Sequence, residues 1–326
     1  MNTGRASRSW RDSAAIAIAA LLAVTAAWGA TFVVVKDAVG RMPVMDFLAS
    51  RFLLAAAVMV ALRPGVAGQI RSGRGAIRGM GRPGRRAARY RRRSPGLVGH
   101  GILLGLALGL GYVGQTYGLQ HTSATISGFI TGMFVVFTPL IAGLLLRRPI
   151  GWIAWAGVGL ATAGLAVISL HGFAIGVGEA LTLLCALLFA LHIVGLGEWS
   201  ARYDSYPLAV VQLGTVGLLS LAAAAPGGVT MPPDGTAWRA VAITAVLATA
   251  FAFVVQTWAQ TVLSPTRTAV VMTMEPVFAG LFGVLVGGDD VTARIVVGGL
   301  LVLGAMYLVE LVPRRAADAG LSRLET

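Results

Sequence analysis

Glu275 is the residue in this chain whose setting most demands a chemical reason. It lies within LSPTRTAVVMTMEPVFAGLFGVLVGG, an apolar run with no other acid, and Pro276 follows it directly. A carboxylate in such a run can bind an amine, hold a proton, or cross-link neighbouring helices. A proline there removes a backbone donor and loosens the helix, which frees carbonyls toward a ligand. Gln115 and Gln256 supply two amides in matching settings, Gln115-Thr116-Tyr117 and Gln256-Thr257-Trp258. Tyr112 shares a helical face with Gln115, and Trp28 stands in the same relation to Thr31. Trp28, Thr31, Tyr112, Gln115, Gln256, Trp258 and Glu275 are therefore the candidates for a solute cavity. Pro139 and Pro276 are the candidate hinges. Arg51, His192, Gln212 and Gln260 are further polar groups in apolar surroundings, each open to binding solute or to bracing helices. Arg51 can snorkel outward, pair with Asp46, or face the cavity.

These residues need elements to hold them, and composition says which. Of 326 residues, 56% are hydrophobic and 12% charged, with a mean hydropathy of +0.79. Such a chain cannot cover a water-soluble globule with polar surface. Runs of spanning length fall at 14–35, 44–62, 97–119, 124–146, 150–171, 177–199, 205–225, 237–261, 266–287 and 291–312. Each is long enough for a hydrocarbon core of about 30 Å. The expected fold is an all-α membrane protein of ten transmembrane helices. The first run follows Arg5, Arg8 and Arg11 as a signal peptide would, but nine further runs follow, and it reads as a retained helix.

The net charge of +13 comes largely from one place. Eleven arginines lie between Arg63 and Arg93, and no acid separates Asp46 from Glu179. The segment 63–96 reads as a solvated cytoplasmic loop that touches anionic lipid headgroups, with no nucleic-acid partner expected. Ten spans with the N-terminus inside place twenty-one basic residues on the inner side and four outside. That asymmetry predicts cytoplasmic termini, tails at 1–13 and 313–326, and residence in the plasma membrane. Trp152, Trp155, Trp199 and Trp238 fall at predicted helix ends, where an aromatic belt is expected.

The chain repeats itself. Residues 113–164 match 254–305 without gaps at an offset of 141, with twelve identities in 52 pairs. Earlier spans align at an offset of 161, the difference being the extra length of the arginine-rich loop. Two units of five spans, 14–171 and 177–312, follow. Five is odd, so the second unit must enter the membrane from the opposite side. An inverted 5+5 repeat is an architecture of secondary transporters.

The sequence at this point resembles the drug/metabolite transporter superfamily, and within it the ten-helix EamA-type transporters. The resembling pieces are Ala27-Trp28-Gly29-Ala30-Thr31-Phe32, GLQHTSATISGFITGMFVVFTPLIAGLLL, and the segment around Glu275. One departure is visible in the loop after the fourth span of each half, where these repeats often carry Gly-Glu. This chain has Leu146-Arg147-Arg148-Pro149 and Gly287-Gly288-Asp289-Asp290. The resemblance implies a carrier of small organic solutes, often outward.

The expected function is export of an amino-acid-like or amine-like metabolite by alternating access, as monomer or homodimer and without a cofactor or metal. A proton-coupled multidrug efflux carrier is the alternative. A membrane-anchored binding module, a channel and an intramembrane enzyme fit less well. The one cysteine, Cys185, permits no internal disulfide and no cysteine metal cluster, the four histidines are scattered, and no HExxH or GxSxG pattern occurs.

Overall fold

Lipid offers the backbone no hydrogen-bond partners, so the apolar runs satisfy themselves as helices. A computed structural model describes the backbone of residues 3–72, 96–147, 151–171, 174–263, 268, 271–272 and 274–322. The helices are α1 (Thr3–Val39), α2 (Val44–Leu62), α3 (Gly65–Ser72), α4 (Gly96–Leu119), α5 (Ala124–Thr131), α6 (Phe134–Leu145) and α7 (Trp152–Ser169). There follow α8 (Val177–Trp199), α9 (Ser205–Ala224), α10 (Gly235–Ala245), α11 (Ala252–Val262), α12 (Met274–Leu285) and α13 (Ala293–Ser322). A two-residue antiparallel bridge, Leu170 with Ile175 and His171 with Ala174, turns the chain between α7 and α8.

Among the described residues, seven stretches are long and apolar enough to cross a membrane: Ala14–Val39, Val44–Leu62, Gly96–Leu119, Ala124–Leu145, Val177–Arg202, Ser205–Gly227 and Gly235–Val262. Trp155–Val167, Met274–Leu285 and Ala293–Leu308 are shorter apolar helices.

The structure departs from the sequence-based expectation in four places. The stretch 124–146 is divided into α5 and α6 by a turn at Gly132–Met133. Gly132 lies so close to its neighbours that an added Cβ would sit 2.6 Å from Met306 Cε and 2.9 Å from Pro276 Cγ. The break therefore precedes Pro139, and α6 continues through that proline. The stretch 237–261 contains a π-helical turn, Val246–Phe251, between α10 and α11. Helix extends into both expected tails, from Thr3 and to Ser322; neither Gly nor Pro interrupts the chain between Gly4 and Gly29, whereas the C-terminal helix continues through Pro313. The arginine-rich segment opens with α3, whose Val66 is buried in the core. Residues 73–95, which carry most of its arginines, lie outside the described residues.

The helices pack in matched pairs. α7 lies on α13 and α2 on α9, while α4 packs on α8 and α1 on α11. α12 contacts α1, and α6 contacts α8. Exchanging each helix for its counterpart in the other repeat returns the same set of pairs. Loop contacts sort into two groups. In one, Lys36 Nζ donates to Thr122 O at 2.9 Å, Thr122 Oγ1 to Glu179 Oε1 at 2.9 Å, and the Thr230 amide to Asp46 Oδ1 at 3.0 Å. Arg41 also lies 3.6 Å from Asp234, whose carboxyl is held below its ordinary range by the Ala237 and Thr236 amides that it caps. In the other group, Arg63 pairs with Asp204 at 3.1 Å, and Tyr206 Oη donates to Met59 O at 2.7 Å. Trp152, Trp155 and Trp238 are exposed at helix ends.

Candidate functional site

A cavity lies where α1, α2, α4, α6, α8, α11 and α12 converge. It is lined by Trp28, Thr31, Phe32, Val35, Arg51, Leu108, Tyr112, Gln115, Leu119, Phe134, Phe189, His192, Ile193, Phe253, Gln256, Met272 and Glu275. About 40 Å³ of it is open to the centre of a water molecule, room for a few waters.

Its lining follows the repeat. An offset of 161 carries Trp28, Thr31 and Phe32 onto Phe189, His192 and Ile193, all of which line the same space. An offset of 141 carries Tyr112, Gln115 and Phe134 onto Phe253, Gln256 and Glu275, which also line it. The two halves thus present equivalent faces to one another. Chemistry breaks the equivalence, because Glu275 replaces Phe134 and His192 replaces Thr31.

The π-helical turn anchors one wall. A π turn misaligns the helical ladder and frees carbonyls for outside donors. Trp28 Nε1 donates to Ala248 O at 2.7 Å, which satisfies the buried indole. Arg51 Nε donates to Thr249 Oγ1 at 2.8 Å. The Arg51 guanidinium lies 5.0 Å from the Tyr112 ring centroid and 5.2 Å from that of Phe52. Arg51 therefore faces the cavity; Asp46 is occupied with the Thr230 amide. Arg51 is 2% and Glu275 5% exposed, and among the described residues neither forms an ion pair.

His192 is braced from behind. Gln212 Nε2 donates to Leu208 O at 3.2 Å, which turns its Oε1 toward His192 Nε2 at 2.7 Å. That arrangement places the imidazole proton on Nε2 and leaves Nδ1 as the acceptor.

A model of the EamA-like transporter family matches residues 15–170 and again 176–311. The chain belongs to this family. An uncharacterized transporter of Archaeoglobus fulgidus is 34% identical over 212 residues, 65% of this chain and 68% of that protein. A crystal structure described only as that of a protein shares the fold, with a TM-score of 0.63, 19% identity, and coverage of 93% of this chain and 99% of the other. The protein is thus a membrane transporter of the EamA type, and its relatives and family are transporters, not enzymes.

Within this EamA-type fold, six of the seven sequence-selected cavity candidates come together: Trp28, Thr31, Tyr112, Gln115, Gln256 and Glu275. Trp258 does not line the cavity. It packs beside Ala14, Ala17, Leu21, Ala259 and Leu263. Two residues along a helix turn the side chain by about 200°, so Gln256 and Trp258 cannot face the same space. Gln212 lies behind His192, and Gln260 Nε2 donates to Ile193 O at 3.2 Å, tying α11 to α8. Pro276 packs near Gly132, while Pro139 is absent from the lining. Sequence reasoning did not select Phe32, Phe134, Phe189, Phe253 or Met272. The repeat offsets applied to Trp28 and Tyr112 point to Phe189 and Phe253.

The departure from the Gly-Glu pattern also finds a role. Asp289 Oδ2 accepts from the Thr125 amide at 2.8 Å, so the second half caps a helix of the first. Ser123 Oγ accepts from the Ile126 amide at the same terminus. The first-half counterpart of Asp289, Arg148, lies outside the described residues.

Proposed function

We propose that this EamA-family protein is a secondary carrier that exports a small organic metabolite by alternating access. In this reading ten membrane helices form two five-helix repeats of opposite orientation, 14–171 and 177–312, in the plasma membrane with both termini cytoplasmic. The observation that carries the reading is the paired lining of one cavity by residues related through the repeat. Halves that present equivalent faces have two equivalent ways to close, one sealing each mouth. The bonds between halves at the two ends, Thr122 to Glu179 at one and Arg63 to Asp204 at the other, are contacts that such an exchange makes and breaks. With only about 40 Å³ open to the centre of a water molecule, the cavity is narrow as it stands, and in this reading the helices separate to admit a solute.

The test is counterflow. Purified protein in proteoliposomes should accumulate labelled solute against a preloaded unlabelled pool, saturably. Flux that never saturates and shows no counterflow would replace the carrier by a channel.

Glu275, which lines the cavity and among the described residues forms no ion pair, also fits a proton-coupled carrier of cationic compounds. An imposed pH gradient that drives uphill movement of an organic cation would favour that second reading.

A further inference from the structure

A crevice distinct from the central cavity lies between α4, α6 and α8. Leu103, Leu104, Leu145 and Leu191 line its length, Glu198, Trp199 and Arg202 stand at one end, and His192 lies at the other. Leu103, Leu145 and Leu191 are exposed, so the crevice opens on the outer face of the bundle. About 420 Å³ of it is open to the centre of a water molecule, the size of a ligand pocket. His192 and Arg202 are ten residues apart, about 15 Å along a helix. That is the depth of one leaflet in a hydrocarbon core of about 30 Å. His192 also lines the central cavity, so the crevice ends against the cavity wall.

The repeat shows what is particular here. An offset of 161 carries Asp37 and Arg41 onto Glu198 and Arg202. The first pair closes on itself, with Arg41 Nε 3.0 Å from Asp37 Oδ2. In the second, the helix gives way to a 3₁₀ turn at Ser200–Arg202, and among the described residues neither Glu198 nor Arg202 forms an ion pair. The helices differ in the same way. α1 closes on α12 and the turn after it at two glycines: a Cβ on Gly29 would lie 2.7 Å from the Ala279 amide nitrogen, and one on Gly287 3.1 Å from Val33 Cγ2. Their counterparts, Ala190 and Leu146, carry side chains, and between α6 and α8 the crevice remains.

An apolar channel one leaflet deep, with an acid and a base at its headgroup end, is complementary to a phospholipid. A guanidinium suits a phosphate through its planar fork. A carboxylate suits a primary ammonium, which donates hydrogen bonds to it. Trp199 stands beside both, at the level where indoles meet headgroups. A purely anionic head would set a second negative charge beside Glu198. We propose that the crevice binds one phosphatidylethanolamine from the leaflet at the Arg63–Asp204 end. Its phosphate lies on Arg202, its ammonium on Glu198, and one acyl chain runs toward His192. The bound lipid backs the wall of the central cavity. This site goes beyond the carrier reading and holds whatever the solute.

The experiment is native mass spectrometry of the full chain purified in detergent. Phosphatidylethanolamine, phosphatidylcholine and phosphatidylglycerol with the same acyl chains are added at matched concentrations. On the unaltered protein, phosphatidylethanolamine should be retained at about tenfold lower concentration than phosphatidylcholine, whose quaternary ammonium cannot donate to Glu198. Ala107→Trp fills the crevice and should remove the phosphatidylethanolamine adduct. Phosphatidylglycerol held elsewhere on the protein should survive that change. Glu198→Gln should abolish the preference over phosphatidylcholine, whereas Arg41→Gln, in the closed pair, should preserve it. The comparison on the unaltered protein needs no variant, so a poorly folding Ala107→Trp leaves the proposal exposed to refutation. Equal retention of phosphatidylethanolamine and phosphatidylcholine would overturn it. So would a phosphatidylethanolamine adduct that persists in folded Ala107→Trp and keeps its preference in Glu198→Gln, since the lipid then sits elsewhere.

Discussion

Gln115 Nε2 donates to Thr131 Oγ1 at 3.1 Å, and Gln256 Nε2 reaches Met272 Sδ at 3.9 Å. Each glutamine addresses the residue sixteen positions ahead of it, so the repeat keeps a tertiary contact as well as a sequence. The two contacts differ in strength. A hydroxyl accepts a good hydrogen bond, whereas a thioether is a weak acceptor. Among the described residues Gln256 Oε1 moreover has no partner, which leaves this amide the freer of the two. Gln256→Leu should therefore raise the half-saturation concentration by about tenfold, the worth of one hydrogen bond to solute. Gln115→Leu should act mainly on stability, by stranding Thr131. Counterflow kinetics beside melting curves in detergent would separate the two effects; equal loss of transport from both would contradict the assignment.

Glu275 lines the cavity and, among the described residues, has no ion-pair partner. A carboxylate that bound a neighbouring helix would be missed by the fold, and one that meets solute would be missed only by transport. Glu275→Gln keeps the shape and removes the charge. It should lower transport by about tenfold or more, as for loss of a hydrogen bond to a charged group. The elution profile and melting temperature should hold. Unchanged counterflow would take Glu275 out of the mechanism.

Close approach of α1 to α12 depends on Gly29. A Cβ at that position would lie 2.7 Å from the Ala279 amide nitrogen, which is backbone and cannot yield cheaply. Gly29→Val should destabilise by about 1–3 kcal/mol through overpacking. Gly214→Ala is the control, because nothing lies within 4 Å of its added Cβ. A melting temperature equally unaffected by both changes would show that the contact is not tight in the membrane.

The loops sort to two ends of the bundle, and the proposed threading assigns each end a side. In a Cys185→Ser background, Met231→Cys and Val291→Cys should react with an impermeant maleimide in intact cells. Leu62→Cys and Ala201→Cys should react only after permeabilisation. Labelling of all four from the same side would end the inverted-repeat reading.

The arginine-rich segment is proposed as a topological device that also touches anionic lipid. Val66 is buried, so a deletion must spare α3. Removing residues 73–92 should leave counterflow intact and weaken adhesion of the solubilised protein to phosphatidylglycerol vesicles. Loss of transport with retained folding would give the segment a direct part in the cycle.

The sequence by itself determined that this chain lives in lipid, that its runs are helices, and that it is a duplicated unit. Those are local facts. Lipid denies the backbone any partner, so twenty apolar residues suffice to specify a helix. Self-similarity likewise needs no coordinates. The register between Gln115 and Gln256 was enough to nominate two cavity amides, and the lone acid at Glu275 was legible from its cost. Only the tertiary structure decided which face each helix turns inward. Trp28 satisfies its indole on Ala248, 220 residues away, and Arg51 meets Thr249, 198 residues away. No local pattern encodes such pairings, since an almost uniformly apolar helix has little amphipathic signal to mark its inner face. The same uniformity made Trp258 look like a neighbour of Gln256 and hid the break at Gly132–Met133, where Met306 and Pro276 of the other half pack against Gly132.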